Sequence, residues 1–454
     1  MSALSNISRR ILSSKKYTLK PFSSLSPLLR MNNSTFANIT SEKAVSLENE
    51  YGAHNYHPLP VVLSKGSGPY VWNPEGVRFY DFLSAYSAVN QGHCHPRIVD
   101  AMIEQAKSMT LSSRAFYNDK LGAYEKFVTE YFGYEMVLPM NTGVEAVETA
   151  LKLSRRWAYD VKGVPINEAI VLSPSGNFHG RSLGAISLST DEDSRHHFGP
   201  FVPNIGSYFP DGKREIRYNH AEDLEEVLEM VGDKVAAFIV EPVQGEAGVV
   251  FPSDGYLKKV AELCKKHNVL FIADEIQSGL GRTGYKLAID HDGLHPDIVL
   301  LGKALSGGVY PVSAVLSSKE IMLTIKPGEH GSTYGGNPIA CATAVTALKV
   351  LEEEKLCENS AKMGALLIAG INKDYDFIKE VRGRGLFCAI EVNPENCNGK
   401  RAWDLCLILR DLGLLCKPTH DHIIRLAPPL CINEEQINEC IKIINTGLDQ
   451  FASQ

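Results

Sequence analysis

The chain has 454 residues, too many for one ordinary core and enough for two or three globular units. Hydrophobic residues at 44%, charged at 22% and aromatics at 8% match average soluble usage, and no stretch approaches the ~20 apolar residues of a bilayer span. A net charge of −7 supplies neither a basic footprint for nucleic acid nor a polybasic membrane patch, so chemistry on small molecules is expected.

Residues 1–41 differ from all that follows. Arg9, Arg10, Lys15, Lys16, Lys20 and Arg30 stand among dense serines, and the first acid is Glu42. This composition predicts a transit peptide and the mitochondrial matrix; the alternative is a basic tail on a cytoplasmic protein, with Met31 available as a second start. Removing the segment takes six basic residues and no acid, so the body would move from −7 to about −13.

Residues 42–86 read as the N-terminal part of a smaller domain, because 61–63 and 70–72 look like strands flanking a Gly-Ser-Gly turn with no helix to cover them. His93-Cys94-His95 is the only local cluster of metal-ligand types, and beside Pro96 it reads as a turn rather than a metal site. The ten cysteines never come closer than nine residues, which predicts scattered free thiols in a reducing compartment.

Residues 87–354 read as a large α/β domain. Asn141-Thr142-Gly143 precedes an amphipathic helix with Val144, Val147, Leu151 and Ala158 on one face, and Gly143 and Val144 are the candidate cradle for a phosphate at its N-terminus. Beyond it, the apolar runs 169–172, 235–240, 269–273 and 298–301 read as buried parallel strands, with 221–231 and 256–267 as crossover helices. Such sheets bind ligands beyond the carboxyl ends of their strands, where Glu241, Asp274 and Lys303 stand. Glu241 is expected to be structural. An aspartate and a lysine at one sheet edge suit pyridoxal phosphate: the amine forms a Schiff base, and the carboxylate keeps the pyridine nitrogen protonated. Taken singly, each is as readily a helix cap or a solvated charge. Gly279 to Gly284 fits the Gly-x-Gly-x-x-Gly spacing of dinucleotide sites, but it runs into Tyr285 and Lys286 with no capped helix, which argues against one. Residues 355–454, with helices at 355–371 and 402–412 around strands at 386–392 and 423–426, complete the smaller α+β domain.

Segments 274–284 (Asp-Glu-Ile-Gln-Ser-Gly-Leu-Gly-Arg-Thr-Gly) and 300–308 (Leu-Leu-Gly-Lys-Ala-Leu-Ser-Gly-Gly) closely resemble the signature of the class III, fold-type I aminotransferases. The likeness extends over nearly all of 45–450. Segments 51–58, 141–146 and 326–337 are similar to the ornithine-using members in particular. The resemblance implies a mostly parallel seven-stranded sheet, pyridoxal 5′-phosphate as cofactor, and a homodimer with sites at the interface. It implies that Lys303 carries the cofactor and moves protons, Asp274 holds the ring nitrogen, Phe178 stacks on the ring and Gln277 bonds its phenolic oxygen. Gly143 and Val144 would hold the phosphate, joined by Thr333 from the neighbouring subunit, and Ser332 would also contact the cofactor. For L-ornithine, Arg181 and Tyr56 would clamp the α-carboxylate and Tyr86 would wall the pocket. Arg425, masked by Glu246 while ornithine is bound, would receive 2-oxoglutarate. The expected activity is δ-amine transfer; N-acetylornithine or 4-aminobutyrate as the amine donor, and a regulator that binds the cofactor without turnover, are the alternatives. His179 departs from the tryptophan expected in animal ornithine enzymes and bears on substrate preference.

Overall fold

The apolar runs of the middle of the chain form the centre of a seven-stranded sheet. Its order is Met136–Met140, Ser313–Ser317, Ile298–Leu301, Leu270–Asp274, Val235–Val240, Ile170–Leu172, Ile205–Gly206. Ser313–Ser317 runs antiparallel to both neighbours, and the pairings from Ile298–Leu301 to Ile205–Gly206 are parallel. All six residues of Val235–Val240 are buried because both sheet faces are covered: Val235, Phe238 and Val240 enter one core, and Ala236, Ala237 and Ile239 the other. This is the α/β, fold-type I architecture.

In the computed structural model residues 39–453 are described. The expected transit peptide lies outside them, save 39–41. The described residues divide into two units after Asn55. The first contains the helix Ser41–Tyr51, none of whose residues is buried; everything below belongs to the second.

Two four-stranded sheets accompany the large one. Phe387–Val392 and Ile423–Leu426 pair antiparallel at the centre of one, flanked by Ile378–Arg384 and Lys417–Thr419. The other joins Lys65–Ser67, Tyr70–Trp72 and Arg78–Asp81 to Leu414–Leu415. Here the structure corrects one expected element: 61–63 is not a strand. Tyr70–Trp72 pairs instead with Lys65–Ser67, Ser67 opposite Tyr70, because the chain reverses across Gly68 and Pro69. Gly68 adopts φ 55°, which glycine allows at little cost. Among the described residues no helix is long and apolar enough to cross a membrane.

Candidate active site

Leu270–Asp274 and Ile298–Leu301 are neighbours in the sheet with Asp274 opposite Leu300, so Asp274 and Lys303 leave the same edge. Lys303 stands one residue beyond its strand, past Gly302, and opens a short turn over Lys303–Ser306 with a left-handed φ of 42°. A non-glycine residue pays for that conformation, and its place here fixes where the amine emerges. Burial pulls the Lys303 amine below its ordinary pKa, while Glu246, Asp274 and Glu241 work to restore its charge.

Around the lysine lies a cavity of about 180 Å³, lined by Gly143, Val144, Phe178, Asp274, Gln277 and Lys303 among the expected residues. Thr142 caps the helix Gly143–Trp157 in a capping box with Glu145, which orients its first turn toward the cavity. Close packing brings this backbone in: a Cβ on Gly143 would meet Ile276 at 3.1 Å.

His179 and Glu241 also line this cavity, though neither was expected to carry its chemistry. His179 Nδ1 lies 2.6 Å from Asp274 Oδ2, and its Nε2 lies 3.2 Å from the Ser173 hydroxyl. Asp274 Oδ1 accepts from the Ile276 amide at 3.1 Å. One carboxylate is thus fixed through both oxygens. Glu241 accepts from the backbone N–H groups of Phe178 and Gly245 at 3.0 and 3.3 Å, and burial pushes its pKa up to about 7. The signal for His179 was its place beside Phe178, but nothing in spacing says that residue 179 meets residue 274.

Arg425 sits in the strand Ile423–Leu426, only 2% exposed, and forms a two-pronged pair with Glu246: Nη1 to Oε1 at 2.9 Å and Nη2 to Oε2 at 3.0 Å. Burial works against the Glu246 charge, but Arg425, Lys303 and Gln277 together hold its pKa at about 2. The Tyr86 ring lies 5.3 Å from the Arg425 guanidinium. The other expected residues are not among those that line the cavity. Arg181 is exposed, 5.6 Å from the Phe178 ring, and Tyr56 is 73% exposed, its ring 5.9 Å from Lys417 Nζ. Ser332 accepts from Asn141 at 2.8 Å, next to the capped helix, while Thr333 faces outward.

A family model, aminotransferase class-III, matches residues 51–448. The chain belongs to the class-III aminotransferases. This aminotransferase is 58% identical over 413 residues to ornithine aminotransferase car2 of Schizosaccharomyces pombe, covering 91% of this chain and 94% of that one. It is 57% identical to the mitochondrial ornithine aminotransferase of Rattus norvegicus, covering 91% of each. Among solved structures, the ornithine aminotransferase of Toxoplasma gondii matches with a TM-score of 0.86 at 45% identity, covering 92% of this chain and 97% of that one. An acetylornithine aminotransferase from Elizabethkingia anophelis matches with a TM-score of 0.80 at 52% identity, covering 91% and 100%.

Class-III aminotransferases depend on pyridoxal phosphate, and the cavity of this aminotransferase fits that group. It joins a lysine, a fixed carboxylate, an aromatic ring and a capped helix start. Gln277 Nε2 is buried in its wall and makes no hydrogen bond of normal geometry, although it is near enough to Glu246 to help keep that carboxylate ionised. A Cβ on Gly245 would press within 2.6 Å of the Gln277 amide carbon, so the side chain is seated closely from behind.

Proposed function

We propose that this enzyme transfers the δ-amine of L-ornithine to 2-oxoglutarate, yielding glutamate and glutamate 5-semialdehyde, which closes to a pyrroline carboxylate. The Glu246–Arg425 pair carries this reading. Ornithine brings its carboxylate far from the reacting amine, so a cation near the lysine must be silenced. 2-Oxoglutarate brings a carboxylate beside the reacting carbon, so the same cation must then be available. A buried arginine covered by a carboxylate that can turn away meets both demands, provided that a new anion replaces the old one.

When bound, pyridoxal phosphate supplies an aldehyde that condenses with amines and a ring that accepts electrons. The residues of this chain do the rest. Asp274 would keep the cofactor's ring nitrogen protonated, and Phe178 would offer its ring an aromatic surface. Gln277 would donate to its ring oxygen, and the N–H groups of Gly143 and Val144 would hold its phosphate. Lys303, with its amine pulled toward neutrality, takes a proton at the reacting carbon and returns it one position away. Arg181 offers a planar fork for the distant carboxylate of ornithine, with Tyr56 as a second contact to it and Tyr86 as the pocket wall.

The same reading includes a homodimer in the mitochondrial matrix. Its support is the outward-facing Thr333 near the capped helix, and the exposure of Phe116 at 75% and Tyr117 at 104%, large rings that a second copy would cover. Four relatives carry names that say mitochondrial, and the basic, acid-free N-terminus agrees.

The test is the amine half-reaction, followed by cofactor absorbance, with ornithine, N-acetylornithine and 4-aminobutyrate side by side. Ornithine is expected to react fastest, and Lys303→Ala to abolish the change. Preference for either competitor overturns the substrate assignment.

A further inference from the structure

Four consecutive non-glycine residues, Ser84 to Ser87, have positive φ, at 50°, 47°, 60° and 70°. They form one turn of left-handed helix, closed by the Ala88 and Val89 amides donating to the Ser84 carbonyl at 2.8 and 3.2 Å. L-residues avoid this conformation because Cβ crowds the following carbonyl, so a run of four needs external support. The turn does not get it from its own side chains: the Ser84 and Ser87 hydroxyls are buried without a partner. It comes from Asp81, whose Oδ1 accepts from the Leu83 and Ser84 amides at 2.8 and 2.9 Å.

Asp81 is itself held. Its Oδ2 lies 2.6 Å from His93 Nε2. The His93 backbone is clamped to Gly68 in both directions, at 2.9 and 3.1 Å. Its ring rests on Gly66, where a Cβ would come within 2.8 Å of it. His93 belongs to the His-Cys-His motif, which has no part in the cofactor cavity. At the far end of the turn, Tyr86 faces the Arg425 guanidinium at 5.3 Å.

We infer that Asp81, braced by His93, is a positioning residue for amine selection: it locks the left-handed turn that presents Tyr86 to Arg425. This rests on the assignment of Tyr86 to the substrate pocket. The turn is the bistable part. Without the carboxylate, residues 84–87 relax to ordinary negative φ, and the Tyr86 ring leaves its place while Lys303, Asp274 and the cofactor cradle keep theirs.

The test measures, in holoenzyme, the ratio of kcat/KM for ornithine to that for 4-aminobutyrate, alongside Tm. Asp81→Ala and His93→Phe are expected to lower the ratio about tenfold. His93→Gln, which can still donate to Asp81, should restore it. Ala85→Gly placed in the Asp81→Ala background should recover part of the loss, since glycine accepts the left-handed backbone. A ratio that stays within about twofold in Asp81→Ala and His93→Phe, while Tyr86→Leu changes it, overturns the bracing role alone; so does a lower Tm with unchanged discrimination. Tyr86→Leu with native discrimination overturns the assignment of Tyr86 and, with it, the selection role of Asp81.

Discussion

Asp274 shows how much of this site is decided by atoms that spacing does not connect. One oxygen accepts from the next turn of its own chain, and the other meets His179, 95 positions away. His179→Phe keeps the ring volume and removes that contact, leaving the carboxylate free to rotate. Affinity for pyridoxal phosphate, measured by titrating apoenzyme, is expected to fall about tenfold, the loss of one charge-assisted hydrogen bond. Glu246 gives a prediction in pH. Its pKa is held at about 2, below the 4.5 of a free glutamate, so the pair with Arg425 contributes stability above the ordinary carboxylate range and loses it as pH falls through 2. The Tm difference between the native enzyme and Glu246→Gln should therefore be widest near neutrality and shrink as acid approaches that value. From the sequence, Lys303 and Asp274 were legible because each ends an apolar strand. The Glu246–Arg425 pair followed only from resemblance, since it is made by a loop and a strand from different sheets.

At the scale of elements, the strands of the parallel core were readable because burial on both faces forces continuous apolar runs. Three strands of the same sheet were not, Ile205–Gly206 because two residues carry no pattern. Met136–Met140 contains Pro139, which removes a ladder donor and suits only the edge it occupies. Ser313–Ser317 begins and ends in serine, and its polar ends look like a loop until their hydroxyls are seen donating to the carbonyls of Thr142 and Asp297, at 2.7 and 2.8 Å. The Ser84–Ser87 turn was equally hidden, since no residue in it is glycine. The capped helix carries its own test. Thr142→Ala removes the cap from Gly143–Trp157 and should cost about 1 kcal/mol, read as a Tm lowered by about one degree. Cofactor affinity should weaken with it, because the same turn offers the phosphate its donors.

For the whole molecule, the exposed rings of Phe116 and Tyr117 predict a second copy. Sedimentation of the native enzyme should give a dimer, and Tyr117→Lys should shift it toward monomer with activity falling in step, since in the proposed dimer Thr333 would serve the partner's site. The sheet that joins Arg78–Asp81 to Leu414–Leu415 has a different kind of consequence, for the order of events at the ribosome. The early hairpin strands emerge first, yet the strand that closes their edge arrives last, on the order of half a minute later at ordinary rates of synthesis. Through that interval the strand ending in Asp81 presents open backbone donors and acceptors to any neighbouring nascent chain. A message truncated before Leu414 would leave that edge open permanently, so its product should collect in aggregates or on chaperones rather than accumulate as a folded fragment.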